Sequence, residues 1–536
     1  MTKLGKKLEN PYSVANMKKA FDNLQKHKGR AKTMGGISEV TTTHLYIKFK
    51  PKTEEELDIL KSDTTLILYD YPLDYRIEEG GSYYHDPEVP ADQPTYQYCA
   101  VGVDKQLPSG VEYEVLEELF IPDEDKIEDD EEENAVRAKK ASTTFAYNLV
   151  DEALRITGNL EEDEKNLAVR ARRSKWRPAG RVRVWDNSNI DVVIINKVFD
   201  HWVTYDCTPY GGYNPMTGRT VPPQTCRRAV YRNDTTIIRN NYVPVEGVEV
   251  RARRWFTTHK GYTNSQGNYS CNGRFRRPAN YSIVWERRNF EIRRKDREWW
   301  KVWKGVRKAK NDGPKMRGDW NLNLRNGEQQ YYATIFRAAY HYYYKDIRGL
   351  RRPPQLSRYQ AKLKINANLG DFGGDLGLYN PNYWYTFGSK SPILITSYGN
   401  DSDEIYATTI HELAHASHWN LLRKKTLRGI ERRVIESWAR GVEWELTRMV
   451  YPEYEGGDVI LPNYTQVVVD MIDAISDDGT NEGASHPDDQ VTGYTIRQIE
   501  DALLRQKTWN AWRDNIINKY ENETEDNLEA LFNHWN

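Results

Sequence analysis

The stretch Asp401-Ser-Asp-Glu-Ile405-Tyr-Ala-Thr-Thr-Ile410-His-Glu-Leu-Ala-His415-Ala-Ser-His418 decides how the second half of the chain is read. Asn400, Asp401 and Ser402 offer N-caps, Asp403 and Glu404 put negative charge in the first turn, and neither Pro nor Gly interrupts 401–423. A helix is therefore predicted there. On it His411 and His415 project from one face. Two imidazoles so placed can share one Zn²⁺ at about 2.0–2.1 Å, and Glu412 stands beside the ion where it can take a proton from water. The competing reading is a polar helix surface that carries two histidines by chance. With only 11 His in 536 residues, it is the weaker one.

A catalytic zinc site needs a third protein ligand. His418 lies seven residues beyond His411, about 10 Å along the axis, too far to share the ion. It is expected beside the site or exposed. The metzincin pattern would need Gly at 418 and His at 421, where the chain has His418 and Leu421. A carboxylate from a second helix remains. Residues 429–450 read as one, with Ile430, Val434, Trp438 and Val442 four apart and Ile435, Ala439, Leu446 and Met449 widening the stripe. It carries Glu431, Glu436 and Glu443. Glu436 could instead form an ordinary surface ion pair with Arg440.

Glu436 lies 21 positions after His415. The motif and this spacing resemble the gluzincins, the thermolysin-like zinc peptidases, in which a Glu about 20 residues downstream completes a His₂Glu site. The resemblance implies His411, His415 and Glu436 as ligands, Glu412 as general base, and a downstream His or Tyr as oxyanion donor. The 477–494 loop offers His486 and Tyr494 for that role. Where the family often has an acidic residue four after its ligand Glu, this chain has Arg440.

Length allows two to four domains. Lys+Arg at 77 against Asp+Glu at 78 argues against a nucleic-acid partner. No run of apolar residues is long enough to span a membrane. Residues 1–7 carry positive charge without an apolar stretch behind them, so a cytoplasmic protein or one whose signal was removed is expected. Cys207 and Cys226 bracket a short loop and could be bridged, while Cys99 and Cys271 could be buried thiols.

In chain order, 11–27 reads as a helix, 44–50 as a strand, 53–61 as a helix capped by Thr53, and 65–69 as a second strand. The acidic run 123–133 reads as a solvated segment, and 135–171 as a charged helical connector. From Gly180 the period becomes two, in 180–185, 243–252 and 281–285, around a Thr263-Asn-Ser-Gln-Gly267 turn. Short strands and turns of this kind suggest a β-sandwich. They resemble transthyretin-like or carboxypeptidase-regulatory-like domains, which implies a spacer, stabiliser or partner-binding module. Trp299, Trp300 and Trp303 fall in a basic stretch read as a linker. A Tyr-rich helix is predicted over 326–346, strands at 362–366 and 392–398, and helices at 464–476, 495–520 and 524–535. By resemblance to zincins, 393–396 would be the edge strand that pairs with substrate.

Three further segments, 9–17, 66–75 and 493–500, are similar to zinc-metalloprotease lipoproteins of gut Bacteroidetes. That resemblance implies a periplasmic or surface location through a lipidated Cys absent from this sequence. The expectation is a multidomain α+β protein: an N-terminal α+β module (1–120), a connector (121–179), a transthyretin-like β-sandwich with an insertion (180–295), a linker (296–325) and a mostly helical zincin-like domain (326–536). Its expected activity is Zn²⁺-dependent hydrolysis of a polypeptide, possible host or extracellular proteins included. The alternative is a host- or glycan-binding surface protein on a zincin scaffold.

Overall fold

The computed structural model describes residues 1–28, 39–122, 133–160, 175–188, 192–206, 213–214, 216–220, 225–238, 241–295, 306–357, 360–370, 393–422, 427, 429–456, 462–473 and 490–536. They form a mixed α+β architecture in two units, 1–185 with 244–536, and 186–243. His486, Cys207, Trp299, Trp300, Trp303 and most of the acidic run lie outside the described residues.

At the start of the first unit, β1 (Lys3–Lys7) pairs antiparallel with β3 (Tyr75–Glu79). Helix α1 (Val14–Lys28) and strand β2 (His44–Phe49) fall where the sequence predicts them. The Thr53 hydroxyl accepts a hydrogen bond from the Glu56 amide and starts α2 (Glu54–Ser62). The expected strand at 65–69 does not form. Leu66 and Leu68 alternate inward as a strand would, but only Tyr69 makes a bridge, to Tyr98. The neighbours of β2 are instead β4 (Gln97–Gly102) and β5 (Tyr113–Leu119), both antiparallel to it. Helix α3 (Glu133–Ile156) packs beside α1.

Two sheets follow. Strand β6 (Ala179–Trp185) pairs with β14 (Asn268–Ser270) and β19 (Leu322–Leu324). The second sheet has the order β13 (Thr257–Tyr262), β12 (Glu249–Arg254), β15 (Ala279–Val284), β18 (Lys310–Met316), all antiparallel. Val182, Val184, Val250, Ala252, Tyr281 and Ile283 are all buried, as inward positions of alternating strands should be. The other face of β12 carries Arg251 and Arg253. Both are roofed by the 68–73 segment, to which they donate hydrogen bonds at the Leu68 and Leu73 carbonyls.

The second unit is a long antiparallel ribbon of β7 (Val192–Asp206) and β10 (Thr225–Ile238), bulged at Val230/Tyr231, with a short pair β8 (Tyr213–Asn214) and β9 (Arg219–Thr220). Cys226 is disulfide-bonded, and Cys99 and Cys271 are free and buried. The chain then enters β11 (Tyr242–Pro244).

A further sheet has the order β17 (Val306–Lys308), β16 (Phe290–Lys295), β20 (Leu363–Asn368), β21 (Ile393–Ile395), with β16, β20 and β21 parallel. Helix α4 (Gly327–Tyr344) covers it, and Phe290 stacks on Tyr343 at 5.6 Å between ring centroids. Helix α5 (Ser402–Leu421) lies between α4 and α6 (Arg432–Arg448). The predicted helix over 464–476 is only α7 (Val467–Asp470) among the described residues. The single helix expected over 495–520 is broken into α8 (Ile496–Leu503) and α9 (Trp509–Lys519). Arg505 takes φ +67° and Thr508 caps the second piece, so the chain restarts there instead of running through. Residues 528–534 form α10 (Leu528–His534).

Candidate metal centre

Because α5 is packed on two sides, it carries apolar or small residues almost all round: Ile405, Ala407, Ile410, Leu413, Ala414 and Ala416 are buried. His411 and His415 leave this helix on the side facing α6, and Glu436 reaches back from α6. His411 Nε2 and His415 Nε2 are 3.0 Å apart. Glu436 Oε2 is 3.5 Å from the first and 3.2 Å from the second. A tetrahedral ion with bonds of about 2.0–2.1 Å sets its donor atoms about 3.3 Å apart. The triangle thus has the size such an ion requires.

Glu436 supplies the second test. It is 0% exposed, and neither of its carboxylate oxygens accepts a hydrogen bond. A buried carboxylate is tolerated when it is paired with charge or bound to metal. The charges around this one are His411, His415 and Arg432, whose Nε is 3.5 Å from Oε1. The surface pair with Arg440 considered from sequence does not form. Burial would raise the Glu436 pKa, but the two histidines outweigh it and hold the group well below the usual carboxylate range.

Glu443 is not a ligand to this triangle; its Oε2 lies 2.8 Å from His411 Nδ1, the far nitrogen of the ring. Tyr454 donates its hydroxyl to the other Glu443 oxygen. Burial works against a charged imidazole at 411, yet the neighbouring Glu436 carboxylate and the hydrogen bond to Glu443 raise it to about 10. At His415 burial prevails and the pKa falls. Glu412 is raised to about 7, first by burial and then by the negative charges of Glu436 and Glu443. A carboxylate so tuned is suited to proton transfer near neutral pH.

The remaining sequence candidates separate clearly. Glu431 accepts a hydrogen bond from the Trp509 amide and has a structural role. His418 is not exposed; it is buried, with neither ring nitrogen hydrogen-bonded, and burial pushes its pKa down to about 3. Tyr494 is buried with its hydroxyl unpartnered, and makes no hydrogen bond to the triangle. The aromatic residue at the site is Tyr464, whose ring lies nearly parallel to His411 at 6.1 Å. Its phenol is raised to about 12 by burial and by Glu436, with the neighbouring Arg432 acting in the opposite direction. Nothing in the Pro462-Asn-Tyr464 sequence singles this residue out. Arg432 could have been found, because the i,i+4 rule applied from Glu436 to Arg440 also applies backwards to Arg432.

No family model, no curated protein and no solved structure matches the chain.

Proposed function

We propose that this chain is a zinc-dependent peptidase of the gluzincin type. The observation that carries the proposal is the His411–His415–Glu436 triangle, of tetrahedral size and with an otherwise unbonded buried carboxylate at one corner. Two nitrogens and one carboxylate oxygen form a donor set that suits Zn²⁺ with a position left open. Bound there, Zn²⁺ supplies a Lewis acid that makes water acidic near neutrality.

The residues of the chain do the rest. Glu412 takes the proton of the attacking water and returns it to the leaving amine. Glu443 fixes the His411 ring through Nδ1, so that Nε2 stays aimed at the ion. Tyr464, beside Arg432 and stacked on His411, is the donor assigned to the developing oxyanion, in preference to Tyr494 or His486. Strand β21, last in its sheet among the described residues, offers backbone groups to an extended polypeptide. The two sheets built around β6 and β12 are read as the transthyretin-like module, and β16 to α10 as the zincin-like one. By the same family likeness the protein works outside the cytoplasm. No helix among the described residues is long and apolar enough to cross a membrane, and an anchor would be a lipid.

A second reading, a surface- or glycan-binding protein, draws on Phe199, Trp202 and Tyr231 of the ribbon, which are 47%, 58% and 57% exposed. The test is zinc content and cleavage of an unfolded-protein mixture by the wild type, Glu412→Gln and Glu436→Ala. The peptidase reading expects one zinc and cleavage in the wild type, zinc without cleavage in Glu412→Gln, and weakened zinc in Glu436→Ala. Zinc without cleavage in the wild type would favour the binding reading, and no zinc in any of the three rejects the site.

A further inference from the structure

A cleft of about 290 Å³ opens between the end of α2, strands β12 and β13, and the turn at 286–288. It shares no residue with the His411 site. Its walls are strongly and unevenly charged. Two of its groups are matched elsewhere: Lys61 reaches down to the buried Glu291 at 2.6 Å, and Asp63 is held by Lys105 at 2.7 Å. The rest are six cations, Arg251, Lys260, Arg287, Arg288, Lys308 and Lys362, against two carboxylates, Glu249 and Glu286.

Those two carboxylates are already shared several ways. Glu286 is contacted by Lys308 at 2.8 Å, Arg251 at 3.3 Å and Lys362 at 3.4 Å. Glu249 is contacted by Arg251 at 2.6 Å and Lys260 at 3.8 Å, and accepts the Tyr262 hydroxyl at 2.7 Å. Arg287 has no carboxylate partner among the described residues; its guanidinium lies 4.2 Å over the Tyr262 ring and its Nε makes no hydrogen bond. Arg288 is exposed and has no ion pair among the described residues. Beyond the cleft wall the same charged layer is balanced: Arg293 and Lys364, with Lys61 reaching down from the wall, answer Glu54, Asp58 and Glu291. The surplus of cations is thus confined to the concave surface.

Holding like charges this close is unfavourable unless something negative joins them. Lys308 shows the strain: burial lowers its pKa, and Arg251 and Lys61 add to the effect, so that Glu286 does not restore it. We propose that this cleft is a binding site for a small organic polyanion bearing phosphate or sulfate groups, with Arg287, Arg288, Lys308 and Lys362 as its principal contacts. Guanidinium and ammonium groups together suit tetrahedral oxyanions, Arg through paired N–H donors and Lys as a point charge. The volume admits a phosphorylated or sulfated sugar unit, which can arrive free or as part of an acidic polysaccharide.

The experiment is isothermal titration of the full-length protein at low ionic strength with inorganic pyrophosphate, with glucose 6-phosphate and with a sulfated oligosaccharide. Arg288→Gln, Arg287→Gln and Lys308→Gln are compared with the wild type. Saturable binding of pyrophosphate is expected, weakened by salt and by roughly tenfold or more in each variant, the worth of one charge-assisted hydrogen bond. Tighter binding of glucose 6-phosphate than of the oligosaccharide identifies a free ligand, and the reverse order a polymer-borne one. Should Lys308→Gln not fold, Arg288→Gln still decides, because its side chain is exposed and outside the ion-pair network. No binding of any of the three anions, or binding that the Arg288 and Arg287 variants leave unchanged, overturns the proposal.

Discussion

Glu443 Oε2 sits 2.8 Å from His411 Nδ1, so a carboxylate seven residues beyond Glu436 on the same helix holds the ring of a histidine that Glu436 meets from the other side. The tautomer of His411 is thereby fixed, with the proton on Nδ1 and the lone pair on Nε2 when the ring is neutral. Removing such an outer partner costs metal sites about 10–100-fold in affinity. Glu443→Ala is expected to weaken zinc by that factor, with Glu443→Gln recovering much of it because its amide oxygen can still accept from Nδ1. Competition with a chromophoric chelator measures both. Equal affinity in wild type and Glu443→Ala would show that the contact does not orient the ligand.

Metal binding should release protons. In the metal-free protein the His411 pKa is raised to about 10, so the ring is protonated at pH 7, whereas His415 is lowered and already neutral. A ligand nitrogen must be unprotonated, so about one proton should leave per ion bound at pH 7, and affinity should climb as pH rises towards 10. Titration calorimetry in buffers of different ionisation enthalpy counts the protons. A count near zero would mean that His411 is neutral before the ion arrives.

Glu412 acts as a base only when ionised. Its pKa of about 7 in the metal-free site is set by burial and by neighbouring carboxylates, and a bound cation pulls it down. The kcat/KM profile should therefore rise with pH on a limb at or below about 7, and Glu412→Gln should remove cleavage while retaining metal. Cleavage retained by Glu412→Gln would exclude Glu412 as the base.

Helices α6 and α7 touch at Gly441, where a Cβ would fall 2.1 Å from Val468 Cγ1 and 2.4 Å from Val468 Cβ. Val468 is branched at the point of contact and cannot swing aside. Overpacking costs about 1–3 kcal/mol, against roughly 1 kcal/mol of helix propensity gained by replacing glycine. Gly441→Ala should thus lower stability by about 2 kcal/mol in urea denaturation, taking the upper part of that range. Unchanged stability would mean that α7 yields.

Glu291 is fully buried between Lys61 and Arg293, each at 2.6 Å. Burial opposes its charge, but those cations hold its pKa far below the ordinary 4.5. For a carboxyl depressed in the folded state, the stabilisation is present above the unfolded pKa and is lost as pH falls towards the folded one. Wild-type stability should decline below about pH 4.5, and Glu291→Gln should be less stable at pH 7 yet lose less on acidification. Parallel pH curves for the two proteins would contradict this.

What could be read from the sequence was whatever depends on helical period. The i,i+4 pair His411/His415, the stripe from Val434 to Leu446 and the Thr53 cap are local patterns, and each appears where expected. The inward alternation of Leu66 and Leu68 was also real, but alternation reports burial and not hydrogen-bonded neighbours, which come from β4 and β5 far along the chain. The same limit hid Glu443. Its place on α6 was legible, but which ring nitrogen it would meet depends on how α5 and α6 are packed. Tyr464 reaches His411 from a non-helical segment, for which periodicity has no reading.

Strand β16 follows β15 after only a short turn, yet the two belong to different sheets. Trp285, in that turn, donates its amide to Ala309 and accepts from Ile292, so the junction is stitched on both sides. The sheet against which α4 and α5 pack therefore takes β16, one of its two inner strands, from the region preceding residue 296. A fragment beginning at 326 would keep β20 and α5 but leave one whole edge of β20 bare, an invitation to self-association. The half that holds the histidines cannot be excised along the apparent seam in the sequence; it was finished by its neighbour, and the two have to be made together.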